Sequence, residues 1–181
     1  MSADFLRRIV AALDAASVPH MVVGSFASTF HGVPRATHDI DIVVDLDRTM
    51  LDRLLAALPD EIYYVDHDTA REALARRAQF NVIDMGTGWK VDLIVRKARP
   101  YSVEELARRQ PAVLMGVATF VASAEDSILS KLEWSKLANS ERQRRDAAGI
   151  VKTRGDALDT HYIERWVDTL DLGEQWERVR T

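Results

Sequence analysis

The sequence contains no cysteine. That excludes a disulfide framework, a thiol nucleophile and any cysteine-ligated zinc site, and it fits a reducing, cytoplasmic location. No apolar run approaches the roughly 18 residues that a membrane-spanning helix requires, so no membrane association is expected. The opening stretch MSADFLRRIVAALDAA alternates charge with apolar residues and lacks the uninterrupted core of a signal peptide. An excess of positive charge is missing as well: 28 Asp and Glu outnumber 24 Lys and Arg, for a formal net charge of −4. Broad coating of nucleic acid is therefore not expected, although local basic clusters remain. Internal repeats, low-complexity tracts and a Gly/Ser/Pro-rich linker are also absent. What is left, 181 residues with 47% hydrophobic and 29% charged side chains, is an ordinary globular composition, long enough for one compact core with a helical appendage.

Periodicity divides the chain into elements. Phe5, Leu6, Ile9, Val10 and Leu13 recur at helical spacing, Pro19 interrupts, and His20 to Val23 read as a short buried strand. A short helix is expected over Phe26 to His31, followed by a loop punctuated by Gly32 and Pro34. From Asp39 to Asp45 acids and β-branched residues alternate, with Asp39, Asp41, Val43 and Asp45 on one face and Ile40, Ile42 and Val44 on the other. Asp47 is placed to cap a helix that Pro59 ends. A strand near Ile62 to Val65 and a helix over Thr69 to Arg77 come next. Gln79 to Met85 and Trp89 to Val95 form a hairpin around Gly86-Thr87-Gly88. A brief helix over Ser102 to Arg109 and a second hairpin around Gly116 complete the strand-bearing part. From Ser123, a helix cap with Asp126 three residues on, the pattern is helical throughout. The expected organisation is a core over 1–122 with a packed helical subdomain over 123–181.

One string carries most of the chemistry. In VVGSFASTFHGVPRATHDIDIVV, Gly24-Ser25 closes an apolar strand, and Asp39 and Asp41 project from one face of the next. Two like charges side by side on a strand repel unless a cation sits between them. A hard divalent ion, Mg²⁺ or Mn²⁺, prefers carboxylate oxygens in this role. The Gly-Ser turn, opening a helix, offers backbone N–H groups to a phosphate. Metal carboxylates beside a phosphate cradle point to phosphoryl or nucleotidyl transfer. Asp92, on the later strand, faces away from Val91, Leu93 and Val95 and is the candidate third carboxylate. Its rival Asp84 lies close to the turn, where capping is the more economical role.

Strand, Gly-Ser, helix, acid-x-acid strand and a third acid on a later strand resemble the nucleotidyltransferase superfamily, the DNA polymerase β-like fold. Ser25 and Asp39 lie 14 residues apart, within that pattern. The run His31-Gly32-Val33-Pro34-Arg35-Ala36-Thr37-His38-Asp39-Ile40-Asp41 is similar to the bacterial AbiEii-like branch, and the resemblance extends over about residues 18–146. It implies an α/β fold, a nucleotidyltransferase-type mixed sheet flanked by helices, with a C-terminal helical subdomain. It implies that Gly24 and Ser25 hold the β- and γ-phosphates of a nucleoside triphosphate. Asp39, Asp41 and Asp92 would bind two Mg²⁺ ions, with Mn²⁺ able to substitute, and Asp92 would help deprotonate an acceptor hydroxyl. Arg35 and Lys131 are cationic candidates for the triphosphate, and Asp146 would orient one of them. The reaction implied is transfer of a nucleoside monophosphate to RNA, protein or a small molecule, with RNA or protein favoured. A toxin-antitoxin or phage-defence setting follows from the branch, with a partner antitoxin or a homo-oligomer as the protein partner.

Plainer readings stand beside these. Alternating acids can be a solvated strand face. His31 and His38 are more economically a loop anchor and a packing residue, and Trp89, Trp134, Trp166 and Trp176 are packing residues before they are base-stacking platforms. The clusters Arg76-Arg77, Arg96-Lys97-Arg99 and Arg142-Arg144-Arg145 could guide RNA phosphates, but solvated faces are the default. The functional alternative is a non-catalytic nucleotide-binding antitoxin or regulatory module.

Overall fold

The computed structural model describes residues 3–32 and 39–180. Arg35 and His38 therefore lie outside the described residues. The chain opens with α1 (Ala3–Ala15), β1 (His20–Val23) and α2 (Gly24–Phe30). Next come β2 (Asp39–Val44), α3 (Arg48–Ala56), β3 (Tyr63–Tyr64) and α4 (His67–Arg76). A hairpin of β4 (Gln79–Asp84) and β5 (Lys90–Val95) leads through α5 (Pro100–Ala107) to a second hairpin, β6 (Gln110–Leu114) and β7 (Val117–Val121). The remainder is helical: α6 (Ala124–Ala138), α7 (Glu141–Arg154), α8 (Thr160–Thr169) and α9 (Gly173–Glu177). Within the described residues, 3–23 and 39–121 make one compact unit, and 24–32 and 122–180 make another. Residues 24–32, part of the expected 1–122 segment, thus cluster with the helices rather than with the sheet.

The first unit is α/β. Its described strands form one seven-stranded mixed sheet in the order β3-β4-β5-β2-β1-β7-β6. β2 runs parallel to β5 and β1 parallel to β7, and the other neighbours are antiparallel. Period-2 alternation decides which side each strand buries. Ile40, Ile42 and Val44 of β2 share a buried face with Val91, Leu93 and Val95 of β5 and with Phe80 and Val82 of β4. α1 packs against β7 and α3, and α4 packs against α3 and β4. On α1 the buried stripe is Phe5, Leu6, Ile9, Val10, Ala12 and Leu13.

Caps and turns explain where the observed boundaries depart from the expected ones. Asp47 accepts the Met50 N–H at the start of α3. Asp66 does the same for Thr69, so α4 begins at His67 rather than at Thr69. Pro100 sits at the first turn of α5, where a missing N–H costs nothing, and starts that helix two residues before the expected Ser102. β6 begins at Gln110 and includes Pro111, which an edge strand tolerates because its outward N–H needs no partner. Met115 and Gly116, both at positive φ, close the β6–β7 hairpin with the twist that two-residue turns favour.

Asp84 is buried, and Phe80, Val82 and Asp84 share the face of β4 opposite to that of Asn81 and Ile83. It accepts the N–H groups of Gly86 and Thr87 at 2.9 Å each and forms an ion pair with Arg8 of α1. One carboxylate thus caps the β4–β5 turn and ties it to the first helix.

In the second unit α6 packs against α2, α7, α8 and α9, which is why it is buried on several sides instead of along one stripe. Its start is fixed by a closed polar network. Ser123 Oγ accepts the Asp126 N–H and donates to Asp126 Oδ2 at 2.7 Å, and the Tyr162 hydroxyl donates to Oδ1 at 2.7 Å. Asp126 is fully buried, so each of these bonds offsets desolvation of the carboxylate. Trp166 and Trp176 are buried packing residues as expected, whereas Trp134 is 55% exposed on α6. No helix among the described residues is long and apolar enough to cross a membrane.

Burial by itself would raise the Asp84 carboxyl, yet the Arg8 guanidinium and the Thr87 backbone and hydroxyl hold it below the ordinary aspartate value. Asp84→Ala should cost about 2–3 kcal/mol in urea unfolding at pH 7, because it uncaps the turn and removes the buried partner of Arg8, leaving that arginine its exposed pair with Asp4 and the Tyr63 ring. The stabilisation is fully present above the unfolded value of about 3.9 and is lost as pH falls through the lower folded value. The difference between wild type and variant should therefore close in acid, and a difference that persists unchanged to pH 2 would contradict the assignment.

Candidate functional site

Parallel pairing of β2 with β5 aligns Asp39 with Lys90 and Asp41 with Asp92. Residues directly opposite in a sheet point to the same side, on strands about 4.8 Å apart. Two cross-strand rungs therefore gather three carboxylates and one ammonium on the face opposite Ile40, Ile42 and Val44. Depth increases across this group: Asp39 is exposed, Asp41 half-buried and Asp92 only 8% exposed. Asn81 of β4 pairs with Asp92 on the far side and extends the polar row.

Lys90 holds the group electrostatically. Its Nζ lies 3.1 Å from Asp92 Oδ2 and 3.9 Å from Asp39 Oδ1. Burial acts to lower the lysine's pKa, but the hydrogen bond it donates to Asp92 and the charges of Asp92, Asp39 and Asp41 outweigh it and raise it above the ordinary value. Asp92 Oδ1 is buried and has no hydrogen-bond partner. A carboxylate oxygen in that condition carries a desolvation cost that a cation would offset. Among the described residues, however, no group of three or more His, Asp or Glu side chains is gathered closely enough to enclose a metal ion as the structure stands. The ammonium of Lys90 occupies the gap instead. Asp84, on the opposite side of β4 and tied to Arg8, takes no part.

The Gly-Ser step lies in the second unit. Gly24 follows the last residue of β1 with φ of +65°, a left-handed conformation that glycine adopts without a Cβ clash. The helix begins at Gly24, two residues before the expected Phe26, and Ser28 Oγ and Thr29 Oγ1 return hydrogen bonds to the Gly24 and Ser25 carbonyls, each 3.0 Å long. Gly24 and Ser25 are both half-buried.

Two buried polar links organise the same unit. Lys131, 5% exposed, donates to Asp146 Oδ2 at 3.0 Å and to Gln143 Oε1 at 3.1 Å, joining α6 to α7. His31, 1% exposed, donates from Nε2 to the Ala122 carbonyl at 2.7 Å, while Nδ1 accepts from the Arg154 guanidinium at 2.8 Å. A guanidinium has no lone pair to accept with, so His31 is held as the neutral Nε2–H tautomer.

The arginine clusters are largely occupied with the protein itself. Arg77 donates to the Arg96 carbonyl, Arg96 pairs with Asp45, and Arg144 pairs with Glu141. Arg96 follows Val95, at the end of β5 away from Lys90, so it is not part of the carboxylate group. Sequence reasoning missed Lys90, Gln143 and Arg154. Lys90 had a signal, since period-2 alternation puts it on the face of Asp92 two residues on; the other two are tertiary partners with no local mark.

Neither protein-family models nor curated protein sequences match this chain. Solved structures do. The chain is similar to ANT(2'')-Ia in complex with adenylyl-2''-tobramycin, with TM-score 0.60, 14% identity and 97% of each chain covered. It is similar to the lincosamide antibiotic adenylyltransferase LnuA, lincomycin-bound, with TM-score 0.56, 13% identity, and 83% of this chain and 96% of that one covered. An antigenic nucleotidyltransferase-like protein from Paracoccidioides brasiliensis gives TM-score 0.53 and 17% identity over 98% of this chain and 94% of that one. At such identities the likeness is one of fold, and the fold is that of nucleotidyltransferases.

His31 supplies a pH test of the second unit. Burial, joined by the Arg154 charge and only partly opposed by the Ala122 carbonyl, lowers its pKa. The unfolded chain therefore takes up the proton first, and stability is lost as pH falls below the unfolded value of about 6.5 towards the lower folded one. Urea midpoints measured from pH 8 to pH 5 should fall less steeply for His31→Gln than for wild type. Parallel slopes would contradict the neutral tautomer.

Proposed function

We propose that the chain is a divalent-metal-dependent nucleotidyltransferase. It moves a nucleoside monophosphate from a nucleoside triphosphate to a hydroxyl acceptor and releases pyrophosphate. The observation that carries this reading is the Asp41–Asp92 rung beside Asp39, with a buried Asp92 oxygen left without a partner. A strand face kept only for solvation would not bury one of its three carboxylates in that state.

The residues divide the work as follows. Asp39 and Asp41 would hold Mg²⁺ or Mn²⁺, and Asp92 would share a second ion. Bound there, such ions polarise the α-phosphoryl group and neutralise charge on the attacking and leaving oxygens. Asp92, the most buried of the three, is the carboxylate that takes the acceptor's proton as its oxygen bonds to the α-phosphorus. The bond from that phosphorus to the bridging oxygen breaks, and its electrons leave with pyrophosphate. Gly24 and Ser25 would bind the β- and γ-phosphates through backbone N–H groups, and Arg35 and Lys131 would add positive charge to the triphosphate. Asp146 and Gln143 fix the direction of the Lys131 ammonium, which makes Asp146 a positioning residue.

The acceptor we favour is RNA or a protein hydroxyl in a cytoplasmic toxin-antitoxin or phage-defence setting, on the resemblance to AbiEii-like proteins. Antibiotics are the named ligands of two of the similar structures, so a hydroxylated small molecule is the competing acceptor.

The test is transfer of α-labelled NTPs in Mg²⁺ to total RNA, to lysate protein and to aminoglycoside and lincosamide acceptors. Label should move to one class, and Asp41→Asn and Asp92→Asn should each lower transfer by at least about a hundredfold. Undiminished transfer in either variant sinks the carboxylate assignment. Tight NTP binding without transfer to any acceptor would favour a nucleotide-binding module instead.

A further inference from the structure

Nothing in nucleotidyl transfer as set out above calls for a lysine among the carboxylates. Lys90 nevertheless stands two residues before Asp92, on the same face and directly opposite Asp39. Its Nζ spans the gap between the two strands, 3.1 Å from Asp92 on β5 and 3.9 Å from Asp39 on β2. An ion that bridged β2 and β5 through these two residues would need the volume that the ammonium fills between them. The side chain is 30% exposed on a flexible four-carbon stem, so it has room to withdraw into solvent.

We infer that Lys90 is the built-in cation of the carboxylate face, and that a divalent ion loads by displacing its ammonium from Asp39 and Asp92. The inference rests on the metal reading of the previous subsection and deepens it. Lys90 is here a positioning residue. Without metal it keeps Asp39 and Asp92 from repelling each other, and it sets a threshold concentration below which the site stays closed to the ion. It also explains why the carboxylates do not already enclose a metal-sized space: they are drawn to an ammonium, whose contacts are longer than those of a divalent ion. A lysine that merely solubilised the strand would point to solvent and would not bridge two acids on different strands.

The experiment measures Mn²⁺ binding by the paramagnetic signal of the free ion, at fixed pH and without nucleotide. The proteins are wild type, Lys90→Met, which keeps the stem without the charge, and Lys90→Arg, which keeps the charge. Removing a full positive charge beside the ion should tighten Mn²⁺ binding by about tenfold or more in Lys90→Met. Lys90→Arg should stay within about threefold of wild type. In the same samples, the metal-free melting temperature of Lys90→Met should be lower than that of wild type, and Mn²⁺ should raise it further than it raises wild type. Equal or weaker Mn²⁺ binding by folded Lys90→Met overturns the inference while leaving the metal reading intact. Binding by Lys90→Met alone supports the inference in its strongest form. No binding by wild type or either variant overturns the metal reading, and this inference with it.

Discussion

The parallel, in-register pairing of β2 with β5 is the constraint on which the rest of the candidate site depends. It brings together Asp41 and Asp92, which are 51 residues apart in sequence yet directly opposite in the sheet. A slip of one residue would send Asp92 to the apolar side and expose Val91 and Leu93 in its place. The register is protected by what lies underneath. Ile40, Ile42 and Val44 meet Val91, Leu93 and Val95 on the covered face, and each fully buried aliphatic side chain contributes about 1.5–3 kcal/mol. The apolar side of the sheet thus holds the polar side in a configuration that its own charges oppose.

That opposition is managed differently in the two units. On the sheet, Asp39 and Asp92 both pair with Lys90 while a buried Asp92 oxygen is left unsatisfied, which is a poised arrangement rather than a closed one. In the helical unit three buried polar groups are tied into the protein through their side chains. Asp126 has Ser123 and Tyr162, Lys131 has Asp146 and Gln143, and His31 has Ala122 and Arg154. Satisfied networks rigidify and specify, whereas an unsatisfied group points to something that binds. On the sheet the atom left without a partner is a carboxylate oxygen, Asp92 Oδ1, which a hard divalent ion takes as a ligand.

Much of this was legible in the sequence because it is written locally. The α/β class, the β4–β5 hairpin around Gly86–Gly88, the caps at Asp47 and Ser123, and the strand face of Asp39 and Asp41 all follow from short-range patterns. Helix starts at Gly24, His67 and Pro100 were placed two residues late, since apolar periodicity marks a helix's buried stripe and not its first turn. Trp134 was expected to pack and lies exposed, because helical spacing alone does not say which face of α6 has a partner. The departure of residues 24–32 from the sheet unit was not legible at all; it depends on packing of α2 against α6, nearly a hundred residues later. Lys90 was legible too, since period-2 alternation puts it on the face of Asp92.

The central claim is that the face bearing Asp39, Asp41 and Asp92 receives divalent metal. Anomalous diffraction from crystals grown with Mn²⁺ and a non-hydrolysable nucleoside triphosphate tests it most directly. The account predicts an anomalous peak in contact with oxygens of Asp41 and Asp92, a second within about 4 Å of it, and the Lys90 ammonium moved away from Asp92. A structure with nucleotide bound, Lys90 still on Asp92 and no anomalous density at the three carboxylates would contradict it.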